Sequence, residues 1–326
     1  MRALRQTSFD GPAGLRLITD APEPAAGPGE VLIRVTAAGV NFVDISQSRG
    51  TFTGGPQPPY LAGIEGAGEV VAVGEGVTGI RPGAHVIGAA IGGGAFAERM
   101  VLPAAAAVPV PAGWADEQAL GLVVSWPTAL AALRTLGGLA AGQTVLIHAA
   151  AGGTGQVAVR MAKHYGATVI AAASSEKHEV VRALGADHVL DSRRADLAEG
   201  VRRLTGGAGV DLVLESAGGG TLGASLAAAK RVTGRVVVFG LSGGEAAITN
   251  ADLVYRHQVH VIGLNIGILI QAAPQLFGAV TGELLGLIGA GVIGPGEPVR
   301  HELADGPKAL AALESRTTVG RLALLP

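Results

Sequence analysis

A glycine-rich turn at residues 148–157 is the stretch of the chain whose residue types most clearly predict chemistry. It reads HAAAGGTGQV and joins an apolar run, typical of a strand, to an amphipathic run, typical of a helix. At such a turn, glycines let the backbone approach a diphosphate, and the N–H groups at the start of the helix face the anion. A tight turn without a ligand is the alternative. We predict a dinucleotide phosphate cradle formed by Ala151, Gly152, Gly153, Thr154, Gly155 and Gln156.

The end of the next apolar run indicates which dinucleotide this cradle would bind. NAD-binding domains carry an acidic residue there, which bonds to the ribose hydroxyls. This chain reads AAASSEKHE at 171–179. The hydroxyls of Ser174 and Ser175 and the ammonium of Lys177 suit the 2′-phosphate of NADPH, whereas Glu176 argues against it. A merely solvated Lys177 is the alternative. We predict NADPH rather than NADH.

The segments that position these residues show two different sequence patterns. Residues 1–122 carry short β-type runs separated by Gly and Pro turns, a pattern that predicts an antiparallel, barrel-like unit. From residue 123 to 266, apolar strands alternate with helices, which predicts a parallel sheet covered on both faces. Residues 267–326 contain helical segments and a last β-type run that can return to the first domain. The apolar stretch 261–280 is interrupted by polar residues and proline, and predicts a buried strand and helix rather than a membrane span.

Composition narrows the function classes. The chain has 326 residues, 48% of them hydrophobic, a net charge of −2 and no cysteine. Its length allows two domains with separate cores. The charge argues against a nucleic-acid or anionic lipid surface, and the lack of cysteine excludes disulfides, thiolate catalysis and Cys-ligated zinc. The N-terminus has no secretory apolar region, so we expect a cytoplasmic protein.

An ordered set of motifs resembles the zinc-free quinone oxidoreductases of the medium-chain dehydrogenase/reductase superfamily, a group that includes ζ-crystallin. The resemblance covers nearly the whole chain and rests on GVNFVDI (39–45), GIEGAGEVVAVGEGV (63–77), SWPTALAAL (125–133), HAAAGGTGQVAVRMAK (148–163), LGADHVLD (184–191) and LESRTTVG (313–320). It implies a GroES-like catalytic domain, a Rossmann NADPH-binding domain, a C-terminus that rejoins the first domain, and a homodimer or homotetramer. Zinc-dependent relatives carry Gly-His-Glu where this chain has Gly63-Ile64-Glu65, so we expect no catalytic zinc.

The resemblance also assigns cofactor contacts. It places Lys177 and Arg316 on the 2′-phosphate and Thr128 near the carboxamide of the nicotinamide. Many relatives have a tyrosine where this chain has Ser192, which weakens one contact. The segments that resemble the nicotinamide lining contain Phe239, Gly240, Leu241, Leu264 and Asn265.

Asn41 and Asp44 resemble the pair that lies beside the nicotinamide in this family, and they are the catalytic candidates. Asn41 can hold a carbonyl oxygen or a ribose hydroxyl, but it can also be a turn residue that caps local backbone. Asp44 can be a helix cap rather than a proton donor. The expected substrate pocket consists of Phe42, Ser46, Phe52, Tyr60 and Trp126, of which Trp126 can equally belong to the core.

The implied activity is hydride transfer from NADPH to a quinone or to the β-carbon of an α,β-unsaturated carbonyl. No His, Cys or Tyr stands out as a general acid, so we expect amide and hydroxyl donors to stabilise the product anion and water to protonate it. One alternative is an enoyl-thioester reductase like those of polyketide synthases, which the low charge disfavours. Another is a catalytically idle NADPH-binding structural or regulatory protein.

Overall fold

The computed structural model describes all 326 residues and divides them into two compact units. The first consists of Met1–Val124 and Pro295–Pro326, and the second of Ser125–Gly294. The C-terminal segment of the first unit therefore begins at residue 295, not at 267. Residues 267–294 differ from the sequence prediction because they form helices that bury apolar side chains, among them Leu284, within the second unit.

The N-terminal part of the first unit is mostly strand. Its strands are β1 (Ala3–Gln6), β2 (Leu15–Ile18), β3 (Glu30–Val40), β4 (Tyr60–Leu61), β5 (Glu65–Val73), β6 (His85–Ala89), β7 (Arg99–Pro103) and β8 (Val108–Pro109), and its one α-helix is α1 (Phe42–Ser48). Strand β3 coincides with EVLIRVTAAGV (30–40), one of the β-type runs that the sequence predicts in this part of the chain.

The second unit alternates strands and helices. Its strands are β9 (Thr144–Ile147), β10 (Thr168–Ala173), β11 (His188–Asp191), β12 (Leu212–Glu215), β13 (Arg235–Val238) and β14 (His260–Gly263). Its helices are α2 (Ser125–Leu130), α3 (Gly153–His164), α4 (His178–Ala183), α5 (Leu197–Leu204), α6 (Gly220–Ala228), α7 (Ile266–Ala272) and α8 (Pro274–Gly289).

The C-terminal segment completes the first unit with β15 (Val299–Glu302), α9 (Gly306–Glu314) and β16 (Leu322–Leu325). Short 3₁₀ or π segments elsewhere are Gly11–Gly14, Ala104–Ala106, Asp116–Ala119, Ala131–Thr135, Ser175–Lys177, Asp252–His257 and Leu303–Asp305. Strand β16 pairs antiparallel with β3, which also pairs with β5 and β7. The last β-type run of the sequence thus inserts into the sheet that the first 110 residues build.

Two sheets enclose the apolar core of the first unit. The larger has seven strands in the order β15-β16-β3-β5-β6-β8, with β7 beside β3, and the smaller has the order β2-β1-β4. Fully buried Phe96, Met100, Leu102 and Ile33 lie in this core. The antiparallel, barrel-type first domain predicted from the sequence is confirmed.

The second unit is a doubly wound parallel sheet. Its strand order is β11-β10-β9-β12-β13-β14, and each neighbouring pair is parallel. This is the Rossmann order, in which the direction of winding reverses between the first strand and the fourth. The predicted Rossmann fold is confirmed, and the reversal lies between β9 and β12.

One part of the second sheet is less buried than the sequence indicates. The apolar stretch 261–280 predicts a buried strand and helix, but β14 has no buried residue, and neither has α7. Strand β14 lies at the edge of the sheet with β13 as its one neighbour, so its apolar residues are not enclosed as those of a central strand are. None of the helices combines the length and apolar character that crossing a membrane requires.

Helix α3 packs unusually close to the turn that precedes it. A Cβ atom on Gly155 would lie 2.3 Å from the carbonyl oxygen of Ala149 and 2.6 Å from the Cα of Ala150. Both neighbours are backbone atoms, which cannot rotate away as a side chain could. The glycine therefore sets how closely the helix approaches the end of β9.

We predict opposite stability effects for two glycine-to-alanine substitutions in this unit. Gly155→Ala should lower the free energy of unfolding by about 1–3 kcal/mol, because the methyl group overpacks the helix against the backbone. At Gly282, in α8, an added Cβ would meet no atom within 4 Å. Gly282→Ala should therefore raise the free energy of unfolding by about 0.5–1 kcal/mol through helix propensity. Urea denaturation followed by circular dichroism measures both. Equal effects of the two substitutions would contradict the close packing.

Candidate active site

Most of the residues predicted to bind the cofactor follow five strands of the second sheet at one edge. Because all six strands are parallel, the segments after β9, β10, β11, β13 and β14 leave at the same carboxyl edge. These segments contain residues 151–156, 174–177, 192, 239–241 and 264–265. Strand β12 is the exception, since none of the predicted cofactor residues follows it.

The turn after β9 has the properties of an anion cradle. Helix α3 begins at Gly153, and its N-cap Gly152 provides no side-chain hydrogen bond. The N–H groups of the first turn, at Gly153, Thr154 and Gly155, have no acceptor within the helix. A Cβ on Gly152 would meet one atom within 4 Å, the carbonyl oxygen of Ala149 at 3.3 Å. The backbone is thus open where a diphosphate would approach, and the residues present fit that group.

Two cations and a carboxylate lie after the ends of the neighbouring strands β10 and β11. Arg193 Nη2 lies 2.6 Å from Oε1 of Glu176, and Ser174 Oγ donates to the same oxygen at 2.8 Å. Hydrogen bonds from its own backbone N–H and from Ser174, with the charge of Arg193, lower the pKa of Glu176 to about 2. Burial lowers the pKa of Lys177, although the charge of Glu176 opposes this shift. Arg193 therefore offsets the carboxylate that counted against a 2′-phosphate.

The remaining predicted cofactor residues differ in exposure. Ser192 donates its backbone N–H to Ala173 at 3.0 Å, which joins the ends of β10 and β11. Asn265 accepts from the N–H of Ile268 at 3.2 Å, and so caps α7. Thr128, Phe239 and Gly240 are half-buried, Leu264 is buried, Leu241 is 45% exposed, and Arg316 is exposed in the first unit.

Asn41 lies in a buried polar cluster of the first unit. Its Nδ2 donates to Oε2 of Glu65 at 3.0 Å and to the carbonyl oxygen of Gly39 at 3.2 Å, and its Oδ1 accepts from Arg321 at 3.0 Å. Both amide hydrogens are thus engaged. A substrate oxygen would gain an N–H of Asn41 only if one of these bonds were given up.

Glu65 is the centre of the same cluster. It is fully buried, and it pairs with Arg321 and accepts the backbone N–H of Gly121 at 2.8 Å. A Cβ on Gly39 would lie 2.3 Å from Oε2 of Glu65, so the glycine makes room for the ion pair. Breaking a buried pair by removing one partner costs about 3–5 kcal/mol. The pair therefore joins β5 to the segment just before β16.

Asp44 caps the short helix α1. Its Oδ2 accepts the N–H of Asn41 at 2.7 Å, and its Oδ1 accepts the N–H of Ile64 at 3.2 Å. The side chain is 3% exposed. Burial raises the pKa of Asp44 to about 7, and the nearby charge of Glu65 adds to the shift. The helix-cap interpretation of Asp44 thus has direct contacts to support it, and the carboxyl can still exchange a proton near neutral pH.

The candidate pocket residues are divided between the units. Phe42 and Tyr60 pack against the core of the first unit, and Ser46 and Phe52 are half-buried there. Burial, with the charge of Asp44, raises the pKa of Tyr60 to about 12, so its hydroxyl stays protonated as a donor. Trp126 is 6% exposed in the second unit, as a core residue would be.

Comparisons with known proteins agree with both units. Residues 27–112 match the family described as "Alcohol dehydrogenase GroES-like domain", and residues 153–280 match "Zinc-binding dehydrogenase". The Pseudomonas syringae quinone oxidoreductase structure is 32% identical, with a TM-score of 0.92 over 100% of this chain and 99% of the other. The Escherichia coli quinone oxidoreductase complexed with NADPH is 29% identical, with a TM-score of 0.91 over the whole of both chains.

This chain belongs to the quinone oxidoreductase family of the medium-chain dehydrogenase/reductase superfamily.

Multidomain relatives also match. The erythronolide synthase EryA2 of Saccharopolyspora erythraea is 38% identical over 91% of this chain, which spans 8% of that protein. The CurK enoyl reductase structure is 28% identical, with a TM-score of 0.88 over 99% of this chain and 98% of the other.

The family likeness raises the question of metal at residues 63–65. Ile64 is buried, and its backbone N–H donates to Asp44. Nowhere in the chain do three His, Cys, Asp or Glu side chains come close enough together to hold a metal ion.

Three charged residues of these clusters escaped the sequence prediction. Glu65 and Arg321 each lie in an apolar, strand-like segment, where a lone charge indicates a buried partner, but their distance in sequence hides the pairing. Arg193 follows Ser192, the position where many relatives have a tyrosine. The basic pair at 193–194 could have indicated a role for Arg193, but such a pair is equally typical of a solvated surface.

We predict that Asp44 makes stability fall as the pH rises. Its pKa is 3.8 when unfolded and about 7 when folded, so between these values the folded chain holds a proton that the unfolded chain has released. The free energy of unfolding of the wild type, minus that of Asp44→Asn, should decrease by up to about 1.4 kcal/mol per pH unit between pH 4 and 7, and level off above. Denaturant titrations across this range measure it. A difference that increases with pH would contradict the raised pKa.

Proposed function

We propose that this chain is an NADPH-dependent reductase that delivers hydride to a quinone or to an α,β-unsaturated carbonyl without using zinc. The observation that carries the proposal is the carboxyl edge of the second sheet. An uncapped helix start follows β9 there, Ser174 and Lys177 follow β10, and Arg193 follows the neighbouring strand β11. The related E. coli quinone oxidoreductase, whose structure is a complex with NADPH, supports the same cofactor.

The residues of the second unit would hold the cofactor at two points. The N–H groups of Gly153, Thr154 and Gly155 would bind the diphosphate, aided by the dipole of α3. Lys177 and Arg193 would bind the 2′-phosphate, with Ser174 and Ser175 as hydroxyl donors. A bound NADPH supplies a hydride from C4 of its nicotinamide.

The reaction also needs a polar group that binds the acceptor. When hydride adds to the acceptor carbon, the carbonyl oxygen gains the electron pair as an anion, which needs a hydrogen-bond donor. The Tyr60 hydroxyl suits this role because its pKa of about 12 keeps it protonated. Asn41 would hold the cluster of Glu65 and Arg321 in place, since its hydrogens are engaged. Water would then protonate the product.

An acceptor panel tests this activity. NADPH absorbance is followed with 1,4-benzoquinone, 1,2-naphthoquinone, an alkenal and crotonyl-CoA, with and without a chelator. Oxidation with a quinone or the alkenal at a rate that the chelator leaves unchanged supports the proposal. Loss of the rate with chelator would overturn the zinc-independent mechanism, and tight NADPH binding with no turnover would favour the non-catalytic alternative.

An enoyl-thioester reductase is the second candidate. The similarity to the CurK enoyl reductase and to EryA2 favours it. The two activities share hydride addition to a β-carbon and differ in the group that carries the carbonyl. Preference for crotonyl-CoA over both quinones in the panel would establish this candidate instead.

We also expect a homodimer or homotetramer in the cytoplasm. The edge strand β14 leaves Val261 36% exposed, and α7 leaves Ile268 58% exposed. An edge with unpaired backbone groups can extend its sheet with a second copy. Val261→Lys should shift the mass measured by light scattering toward the monomer, and an unchanged oligomer would exclude this edge as the interface.

We predict that Lys177 discriminates between the two nicotinamide cofactors. Lys177→Ala should raise the Kd for NADPH by at least about tenfold, because a hydrogen bond to a charged group is lost, and should change the Kd for NADH less than twofold. Lys163→Ala is the matched control, since that lysine pairs with Asp187 at 2.7 Å, away from the carboxyl edge. Isothermal titration calorimetry measures the six constants, for the wild type and both variants with each cofactor. Equal weakening for both cofactors would contradict the 2′-phosphate assignment.

A further inference from the structure

A buried three-residue network lies where the winding of the second sheet reverses. His148 follows β9, Glu215 ends the neighbouring strand β12, and Ser225 lies in α6. Their exposed fractions are 3%, 0% and 0%. Ser225 Oγ lies 2.9 Å from Nε2 of His148 and donates to Oε2 of Glu215, while the histidine and carboxylate atoms are 3.6 Å apart. None of these three side chains has a role in the site described above.

The charge states follow from the surroundings. Burial lowers the pKa of His148, although the charge of Glu215 opposes this shift. Burial alone would raise the pKa of Glu215, but the histidine and the hydrogen bonds from Ser225, Gly218 and Ala217 outweigh it and lower the pKa. The serine then donates to an ionised carboxylate and accepts from the imidazole N–H.

The other carboxylate oxygen of Glu215 holds the loop that follows β12. Oε1 accepts the N–H of Ala217 at 2.8 Å, the N–H of Gly218 at 2.9 Å and the hydroxyl of Thr221 at 3.1 Å. Gly218 and Gly219 have φ angles of +69° and +51°, which glycine adopts without the steric cost that other residues pay. One carboxylate oxygen thus fixes the whole turn.

The turn after β12 also supports the loop after β13. The N–H of Gly219 donates to the carbonyl oxygen of Gly244 at 2.9 Å, and the N–H of Gly243 donates back to Ala217. A Cβ on Gly218 or Gly219 would lie 2.5 or 2.4 Å from the carbonyl oxygens of Gly244 and Gly243. The loop supported in this way includes Leu241, one of the residues expected at the nicotinamide. Ligands of open parallel sheets bind where the winding reverses.

We propose that Glu215, held by Ser225 and His148, is a positioning residue that fixes the glycine loops 216–220 and 240–244 for the nicotinamide half of the cofactor. The inference rests on the proposed function. A role in stability alone would not require a charge, because well-packed apolar residues usually serve as well at a buried site. A carboxylate oxygen, however, can accept several N–H and O–H donors at once.

The test compares two carboxylates at opposite ends of the same strand. Asp211, just before β12, accepts the N–H of Thr144 at 2.8 Å and pairs with Lys230 at 2.7 Å. Glu215→Gln and its control Asp211→Asn are titrated by calorimetry with NADPH and with adenosine 2′,5′-bisphosphate, which lacks the nicotinamide half. Glu215→Gln should raise the Kd for NADPH about tenfold, as expected for lost charged hydrogen bonds, and that for the bisphosphate less than twofold. Asp211→Asn should change neither more than twofold.

Hydrogen exchange gives a second readout without cofactor. The amides of Ala217 and Gly218 should exchange faster in Glu215→Gln than in Asp211→Asn, since one acceptor holds both in the wild type. Unchanged exchange there would overturn the inference. So would unchanged NADPH affinity, or equal weakening for both ligands, which would indicate a general loss of structure.

Two further outcomes distinguish a failure of this inference from a failure of the proposed function. If Glu215→Gln does not fold, Ser225→Ala replaces it, since this variant removes only the bridging hydroxyl. Ser225→Ala should raise the Kd for NADPH about threefold and leave that for the bisphosphate unchanged. If this selective loss is absent, the inference is overturned. A wild-type protein that binds neither ligand would instead refute the proposed function itself.

Discussion

The contact between helix α3 and the end of β9 is the constraint on which the second unit depends. At Gly155 the helix lies against the backbone of Ala149 and Ala150, with no space for a methyl group. Because β9 is an inner strand, this contact sets where the helix begins relative to the carboxyl edge of the whole sheet. Its uncapped first turn then faces the edge at which the other strands end, so a packing requirement and a binding surface share one glycine turn.

Each unit also contains a fully buried glutamate that joins segments far apart in sequence. Glu65 links β5 to Arg321 beside the last strand, and Glu215 links β12 to β9 and α6 through His148 and Ser225. A buried charge is costly unless its partners are complete, so each glutamate requires one arrangement of its neighbours. Apolar packing alone can tolerate several arrangements, and we expect these networks to favour one.

Sequence reasoning located strands and the glycine turn well, because their signals are local. Strand β3 coincides with the β-type run at 30–40, and α3 begins at Gly153, within the predicted glycine turn. Exposure was predicted less well. Strand β14 carries the apolar residues Val261 and Ile262, but its place at the edge leaves them uncovered. The composition of a strand indicates which of its side chains can be buried. The position of the strand in the sheet decides which of them are buried.

The sequence by itself determined the fold class, the two sequence patterns of the chain and the glycine turn after β9, because periodicity, turn residues and glycine spacing act over fewer than about twenty residues. Tertiary structure alone decided that both hydrogens of Asn41 are engaged, that Asp44 caps α1 with a raised pKa, and that Arg193 holds Glu176. These properties depend on burial and on partners brought together by folding. Desolvation and hydrogen bonding are set by three-dimensional neighbours, which the order of residues does not reveal.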